Sequence, residues 1–575
     1  MSAAPFRVLP TEHKTDGLWE ELKDIQHRFR YLPADQLKHV AERRGLNLRD
    51  LHAVASFYPH FYLTPPAKVC IRVCDDMTCH LRGAPEIQEM LHQRYANART
   101  EDLSIGTTSC LGRCDHAPAM MLNENYYDGF GPTEAAQFID DALAGNAPRS
   151  SKLEPKEMKL AADPYDGQRP YTALREYVQS PNPDWAKLLG DMQKAGLRGM
   201  GGAGFPTARK WQTVHDAPGT EKYVVCNADE SEPGTIKDRF IMTQLPHLVI
   251  EGMALCGLYV GAKRGYLYIR HEYGEQEEIL REELVRAYRE KLLGKHILGT
   301  EHTFDLTVFV SPGGYICGEE SALLEAIEGK RSEPRNKPPF VATNGLWDKP
   351  TALNNVETFS LAALIAAKGA DYVNSLGKNG VKGIKFVGIS GDVNKPGVYE
   401  VPMGTTYAEL FKDYAGGISG GRELLGFAPS GPSSGYLPAS MTSLRLDWDE
   451  VAKAGSMVGS GAVVVCADNR CMLDMAFNAV RFFRNESCGK CVPCRVGSQK
   501  TTELLDGWMN GNFKDGDLQL MDELCHMMKE ASICGLGQII PAPIQSVLKH
   551  FREDVEKHLL LKQCSAGVCF SGANA

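Results

Sequence analysis

The sequence predicts a multidomain chain of mixed α/β and α+β class, helical at both ends with sheet-containing regions between. Three observations carry this. The length of 575 residues suits three to five domains of roughly 100–200 residues each. Apolar residues at three- and four-residue spacing dominate the two ends, whereas strand-like runs alternate with helical patterns in the middle. Seventeen cysteines fall largely into spaced sets, in a chain whose start (MSAAPFRVLPTEHKTDG) lacks the basic and apolar segments of a secretory signal. Thiols in that number point to metal chemistry in a reducing compartment, so a cytoplasmic location is expected.

Residues 1–65 read as a helical bundle without evident chemistry, from ELKDIQHRF, PADQLKHVAERRG and RDLHAVASFYPHF. Residues 66–148 alternate short strands with helices (APEIQEMLHQRY, TEAAQFIDDALAG) and hold four spaced cysteines. The polar stretch 149–180 reads as a linker. A large α/β region spans 181–375, and 380–465 reads as a hairpin with a Lys-Pro-Gly turn and one helix. Residues 468–555 are helical again, and 556–575 form a tail.

Composition narrows the function. Hydrophobic content of 43% and charge of 23% describe an ordinary globular protein. A net charge of −9 without a Lys/Arg cluster excludes nucleic acid as the main partner. Apolar stretches such as IEGMALCGLYVGA fall short of the ~20 residues a bilayer requires, so no membrane span is expected.

Two cysteine sets carry the strongest signals. Cys488, Cys491 and Cys494 in ESCGKCVPCRVG stand at i, i+3 and i+6, with Cys534 forty residues beyond Cys494. Zinc sites usually split their cysteines into separated pairs, so three close thiolates and one remote thiolate favour a 4Fe–4S cluster. Cys74 and Cys79, then Cys110 and Cys114, follow C-x4-C and C-x3-C spacing at two strand-to-loop corners. Two disulfides or a zinc knuckle remain alternatives there to a 2Fe–2S cluster.

The middle region reads as a phosphate and nucleotide site. GLRGMGGAGFPTARKW places Gly199, Gly201, Gly202 and Gly204 in a G-x-G-x-x-G pattern, but after a helix instead of a strand. It is therefore not the usual dinucleotide fingerprint, although its glycines still let backbone N–H groups approach a phosphate. KYVVCNADESEPGTIKDR is a strand running into Asn227, Asp229, Glu230 and Glu232, where ligands of open α/β sheets bind. Gly313 and Gly314 open a turn before Glu319 and Glu320, whose plain reading is helix capping. Lys337 and Phe340 offer a cation and a ring, and Asn354, Asn355 and Thr358 offer amides and a hydroxyl.

Together GMGGAGFPTARKW, NADESEPGTIKDR, GGYICGEES, NNVET and ESCGKCVPCR resemble the NADH-oxidising flavin subunit of respiratory complex I. The cysteine-bearing domain ahead of it resembles that complex's thioredoxin-like 2Fe–2S component, fused in front, as in NAD-dependent formate dehydrogenases and NAD-linked hydrogenases. The resemblance implies a thioredoxin-like 2Fe–2S domain, a Rossmann-like FMN domain, a ubiquitin-like soluble-ligand-binding domain and a C-terminal helical 4Fe–4S domain. It implies FMN held by Gly199, Gly201, Gly202, Asn227, Asp229, Tyr315, Gly318, Asn354, Asn355 and Thr358. It places NADH against Phe205, Lys210, Glu232, Glu320, Lys337 and Phe340. Two positions depart from relatives: Met200 replaces an arginine, and Thr213 replaces an aromatic residue, which leaves adenine stacking to Phe205 and Phe340.

The expected activity is hydride exchange between NADH and FMN, with single electrons passed through the clusters to a partner subunit. Glu232 and Glu320 would face a 2′-phosphate with like charge and so favour NAD. No side chain is needed as acid, base or nucleophile. The chain should sit in a hetero-oligomer whose catalytic subunit carries further iron–sulfur clusters and a molybdenum, tungsten or hydrogenase centre. Formate dehydrogenase is the first reading and a hydrogenase or electron-bifurcating complex the second; a non-catalytic zinc scaffold is the alternative of another class. In the tail, His558, Cys564 and Cys569 lack a fourth ligand, and Cys471, with Cys466 as runner-up, would complete a structural zinc site. This tail is similar to a zinc-holding segment of bifurcating hydrogenases.

Overall fold

The computed structural model describes residues 13–146, 148–152, 158–165 and 168–570. Three amphipathic helices, Leu18–Phe29, Ala34–Arg44 and Leu48–Ala55, open the described chain. Each buries one stripe: Leu18, Trp19 and Leu22; Leu37, Val40 and Ala41; Leu51, Val54 and Ala55. Gly45 ends the second helix with left-handed backbone, and the Asn47 side chain caps the third. The bundle is fastened to the central region by Trp19 Nε1, which donates to Ala326 O at 2.8 Å, and by Tyr58 OH, which donates to Lys330 O at 2.6 Å.

Strand Val69–Cys74 pairs in parallel with Leu103–Thr108 and antiparallel with Ala119–Leu122, which pairs with Asn125–Asp128. Helices Ala84–Arg94 and Pro132–Leu143 complete the expected thioredoxin-like unit.

The central α/β unit is a five-stranded sheet. Tyr223–Ala228 lies between parallel neighbours Arg264–Ile269 and Thr351–Asn355, and Thr303–Val310 extends it beside a short edge strand, Gly294–Lys295. Helix Pro246–Val260 is buried nearly all round and crosses helix Val356–Ser375 at Gly252, where any Cβ would collide with the Phe359 carbonyl. The stretch 149–180, expected as a linker, contributes core instead in its second half. Helix Thr172–Gln179 buries Leu174 and Val178, and Leu174 N–H donates to the buried Glu251 at 2.9 Å.

The hairpin expected in the segment 380–465 forms as Ile384–Gly391 against Gly397–Pro402, with Ile384 opposite Pro402. Ala462–Ala467 and Leu424–Pro432 extend it into a mixed five-stranded sheet. Helices Met472–Asn485, Val492–Met509, Asp517–Ala531, Gly535–Ile539, Pro541–His550 and Arg552–Leu561 close the chain. Among the described residues no single helix is long and apolar enough to cross a membrane.

Candidate functional site: a flavin cradle between two thiol clusters

The glycine loop lies between helices Trp185–Lys194 and Thr207–Asp216. Gly199 N–H donates to Phe205 O at 2.9 Å and closes the loop on itself. Met200 N–H donates to Thr358 Oγ1 at 2.9 Å, so Thr358 positions the loop from beneath. A Cβ on Gly201 would lie 3.1 Å from that of Asn355, whereas one on Gly202 would meet nothing within 4 Å. The loop thus packs tightly on one side and is open on the other, as a cradle for a phosphate requires.

Asn227, at the end of the central strand, donates through Nδ2 to Gly318 O at 2.8 Å and accepts from Asp229 N–H at 3.2 Å. It ties the acidic strand end to the Tyr315–Gly318 turn. Burial raises the Asp229 carboxyl to about 7, against the Arg270 charge and hydrogen bonds from Ser231 and Ser311. Asn354 and Asn355 are adjacent on a strand and so face opposite sides. Asn355 Nδ2 reaches Asp238 at 2.6 Å and its Oδ1 accepts from Lys237 at 3.0 Å. Asn354 instead accepts from Trp211 Nε1 at 3.0 Å, inside the core. The paired-amide expectation therefore fits Asn355 better than Asn354.

Four residues that sequence reasoning passed over stabilise this floor. Lys237 contacts Asp238 at 2.6 Å and Glu357 at 3.1 Å, and Lys385 contacts Glu357 at 3.1 Å. Two cations and two anions, all buried, balance each other. Burial opposes the Lys237 charge, but Asp238 and Glu357 outweigh it and raise its pKa; at Lys385 burial prevails and lowers it. Lys385 comes from the hairpin sheet, and its Nζ lies 3.8 Å from Met200 Sδ, bringing a cation beside the residue that replaces arginine. The motif TIKDR carried a signal for Lys237 and Asp238; nothing local marked Lys385.

On the nucleotide side, Phe205 and Phe340 are 44% and 58% exposed, unusually open for rings and suited to stacking on a planar ligand. Lys210 Nζ donates to Leu353 O at 2.9 Å, and burial lowers its pKa. Glu319 caps its helix through the N–H groups of Ser321 and Ala322, both at 2.9 Å. Glu320 pairs with Lys337 at 2.7 Å, and Lys337 also reaches Glu319 at 3.0 Å. Glu232 accepts from Ser433 N–H at 3.1 Å and from Tyr315 OH at 3.5 Å. Burial raises its carboxyl to about 7. Thr213 donates to Arg209 O one turn back and offers no ring.

The first thiol set assembles at the end of strand Val69–Cys74. Cys74, Cys79, Cys110 and Cys114 are all buried, with Cys110 and Cys114 sulfurs 3.5 Å apart. Gly112 N–H points at Cys110 Sγ (3.4 Å) and Gly234 N–H, from the central unit, at Cys114 Sγ (3.3 Å). Hydrogen bonds from Cys114 and Cys74, with the charge of Arg270, hold the Cys110 thiol well below its ordinary range. Arg270 also donates to Cys110 O at 2.6 Å. Amides and a guanidinium around clustered sulfurs suit the net negative charge of a thiolate-bound cluster.

In the second set, Cys488 and Cys491 lie in the loop before helix Val492–Met509, Cys494 in its first turn, and Cys534 caps Gly535–Ile539. A Cβ on Gly537 would come within 3.0 Å of Cys494 Cβ, so glycine lets the two segments close. Burial pushes the Cys494 thiol up to about 12 and the Cys534 thiol to about 11. Such thiols ionise readily only against a metal's charge. Between the sets stands Glu486, which accepts from the Ser109 hydroxyl and from Tyr315 N–H.

In the tail, ligand atoms of Cys471, His558, Cys564 and Cys569 all lie within 4.8 Å of one another. Cys471 Sγ is 3.3 Å from His558 Nε2 and 3.8 Å from Cys569 Sγ. His558 Nδ1 lies 2.6 Å from Asp554 O, which fixes Nε2 as the nitrogen facing the sulfurs. Cys466, the runner-up, sits in strand Ala462–Ala467 outside this group.

Comparison with known proteins agrees with this architecture. Residues 192–363 match the Nuo51 FMN-binding domain, 474–558 the NADH-ubiquinone oxidoreductase-F iron-sulfur binding region, 8–143 the thioredoxin-like [2Fe-2S] ferredoxin and 386–435 the SLBB domain. An NADH-quinone oxidoreductase subunit of Rhizobium meliloti is 40% identical over 70% of this chain and 94% of its own. The NAD-reducing hydrogenase HoxS alpha subunit of Cupriavidus necator is 31% identical over 95% of this chain and 92% of its own. A chain of NAD+-reducing [NiFe]-hydrogenase in the H2-reduced state superposes with a TM-score of 0.83 at 31% identity, covering 94% of this chain and 92% of that one. The chain belongs to the family of NADH-oxidising flavin and iron–sulfur oxidoreductase subunits, in the fused, diaphorase-type arrangement.

Proposed function

We propose that this chain exchanges a hydride with NAD(H) at FMN and passes electrons, through the two thiol clusters, to or from a catalytic partner subunit. The observation that carries the reading is Glu486, which joins the flavin-side turn at Tyr315 to the Ser109–Cys110 loop two residues before Cys488. Bound flavin supplies the conversion between a two-electron hydride and single electrons.

The chain's own residues bind and orient. Backbone N–H groups of Gly201 and Gly202 cradle the phosphate in a loop that Gly199 N–H closes, and the start of helix Thr207–Asp216 adds positive potential. Asn227, Asp229, Gly318, Tyr315 and Asn355 line the flavin, with Thr358 positioning the loop and Asn354 the strand. Phe205 and Phe340 stack the nucleotide, Lys210 presents a cation, and Glu232 accepts from ribose hydroxyls. Lys337 orients Glu320. Cys74, Cys79, Cys110 and Cys114 hold a 2Fe–2S cluster; Cys488, Cys491, Cys494 and Cys534 hold a 4Fe–4S cluster. Cys471, His558, Cys564 and Cys569 hold a structural zinc. None of the seventeen cysteines is joined in a disulfide, which supports a reducing, cytoplasmic setting.

Two partner substrates are in play. Formate, oxidised at a molybdenum or tungsten centre, has the support of the fused-chain sequence resemblance. Hydrogen has the support of the near full-length likeness to NAD-reducing hydrogenase. The purified native complex separates them: NAD+ reduction driven by formate, or by hydrogen, identifies the partner. A complex that contains flavin but oxidises NADH with no acceptor, natural or dye, refutes the reading as a whole.

A further inference from the structure

A fourth cluster of metal-ligating side chains shares no residue with the three cysteine groups. His60 follows the N-terminal helices, and His271 and Glu272 follow strand Arg264–Ile269, at the carboxyl end of the parallel sheet. Their ligand atoms lie within 4.8 Å of one another, with the two imidazole centroids 3.5 Å apart and the rings tilted by 59°. We propose that His60, His271 and Glu272 form a mononuclear zinc site that pins the N-terminal helical bundle to the central sheet.

The hydrogen bonding requires a partner of this kind. Both ring nitrogens of His271 are buried, and neither makes a hydrogen bond. Its Nδ1 lies 3.2 Å from Glu272 Oε2, but without hydrogen-bond geometry. A buried polar atom left in this state costs about 1–3 kcal/mol, and native proteins nearly always satisfy such atoms. A divalent cation takes the lone pair of one His271 ring nitrogen directly. Burial lowers the His60 pKa to about 4 and holds that of His271 well below its ordinary value.

The site is held in place from outside. Gln26 Nε2 donates to His60 O at 2.5 Å, and Gln26 Oε1 accepts from Tyr62 N–H at 2.8 Å, fixing the backbone on both sides of the imidazole. Gly313, at φ +102°, makes room opposite, since any Cβ there would collide with the His60 ring. Arg270 Nε engages Glu272 Oε2 at 2.8 Å and orients the carboxylate, and the same oxygen lies 3.2 Å from His271 Nδ1.

Two imidazoles and one carboxylate suit zinc, a borderline ion, better than calcium or magnesium, which prefer oxygen donors. Three protein ligands leave a fourth position for water. The site therefore joins residues distant in sequence, much as the tail group does at the other end of the chain.

The test uses crystals of the intact flavin- and iron-replete complex, with anomalous difference maps collected above and below the zinc edge. A peak within ligand distance of His60 and His271, separate from the Cys471 group, is expected. No peak there overturns the proposal, and a signal appearing only across the iron edge overturns the choice of zinc. Elemental analysis gives a second reading in the Cys564→Ser background, which removes the tail group's contribution. His271→Gln in that background should lose about one further zinc per chain with FMN and cluster iron unchanged. An unchanged zinc content overturns the site. Should that variant fail to fold, the wild-type map decides alone.

Discussion

The backbone N–H of Tyr315 donates a 2.8 Å hydrogen bond to the carboxylate of Glu486. The same carboxylate accepts from the Ser109 hydroxyl, next to Cys110, and lies two residues before Cys488. One partly buried acid thus fixes the relative positions of the Tyr315 turn, the first thiol loop and the second. Burial raises its pKa, against the hydrogen bonds from Ser109 and Tyr315.

Replacing Glu486 by Ala leaves those two partly buried donors without this acceptor, at about 1 kcal/mol each. A lower melting temperature and slower electron delivery to the partner subunit are expected, with NADH-to-dye activity largely kept. Glu486→Gln retains an acceptor oxygen and should recover most of the loss. Scanning fluorimetry and stopped-flow reduction of the partner centres check this, and an Ala variant equal to wild type in both contradicts the bridging role.

Nucleotide preference should depend on pH through Glu232. Lys337 already offsets the charge of the ionised Glu320, and burial raises Glu232 to about 7, so Glu232 is only partly ionised in neutral solution. Glu232 ionises as pH rises through about 7, and only then does it repel a 2′-phosphate strongly. The kcat/KM ratio for NADH over NADPH should climb several-fold from pH 6 to pH 8 in wild type. Glu232→Gln should show a smaller ratio and lose most of the climb. That comparison also controls for titration of the 2′-phosphate itself. Equal pH dependence in both proteins would sink the role given to this carboxylate.

The two clusters should separate by mutation. Cys491→Ser should remove the 4Fe–4S signal from the EPR spectrum of NADH-reduced protein and abolish delivery to the partner. NADH-to-dye activity should survive, because a soluble dye can be reduced upstream of that cluster. Cys110→Ser should remove the 2Fe–2S signal with a smaller effect on delivery than Cys491→Ser. Two unaltered signals in Cys491→Ser refute its place among the ligands.

Local periodicity made the helical ends, the thiol sets and the Lys-Pro-Gly hairpin legible in the sequence, because each depends on spacing within a short segment. Long-range geometry was not legible. Asn354 and Asn355 read as equivalent amides until strand alternation sent one to Trp211 and the other to Lys237. Lys385 reaches the flavin floor from another sheet, and no local pattern could assign it there. Leu174 and Val178 looked like part of a polar linker because their apolar stripe is only one short helix long. His60 and His271 lay in segments read for other things, and only the packing of the bundle on the sheet brings them together.

Glu251 should make the fold more stable in acid than in base. It accepts from Leu174 N–H at 2.9 Å and from Tyr165 OH at 2.8 Å, and burial raises its carboxyl to about 7. The folded protein therefore holds a proton that the unfolded chain releases nearer pH 4.5. Stability from this group is intact below that pH, declines as pH rises, and is lost above about 7. Glu251→Gln removes the titration while keeping an acceptor. Its melting temperature should exceed that of wild type at pH 8 and not at pH 5. A constant difference between the two proteins across that range counts against the assignment.

The tail should release zinc without disturbing the flavin. Cys471 caps helix Met472–Asn485, so a metal bound there anchors the last helix, Arg552–Leu561, against the 4Fe–4S domain. Two sulfurs and an imidazole at 3.3–3.8 Å surround a common point, and His558 is already oriented by Asp554 O. Histidine among the ligands, and a separate complete thiol set for the cluster, favour zinc over iron–sulfur. Cys564→Ser should lose about one zinc per chain relative to wild type, with FMN content and both EPR signals retained. Its C-terminal helix should then become more susceptible to proteolysis than that of wild type, because burial of Val555, His558 and Leu559 depends on the anchor. Wild-type protein replete in iron and flavin but with no zinc at these four ligands would show that thiol–imidazole contacts alone hold the tail.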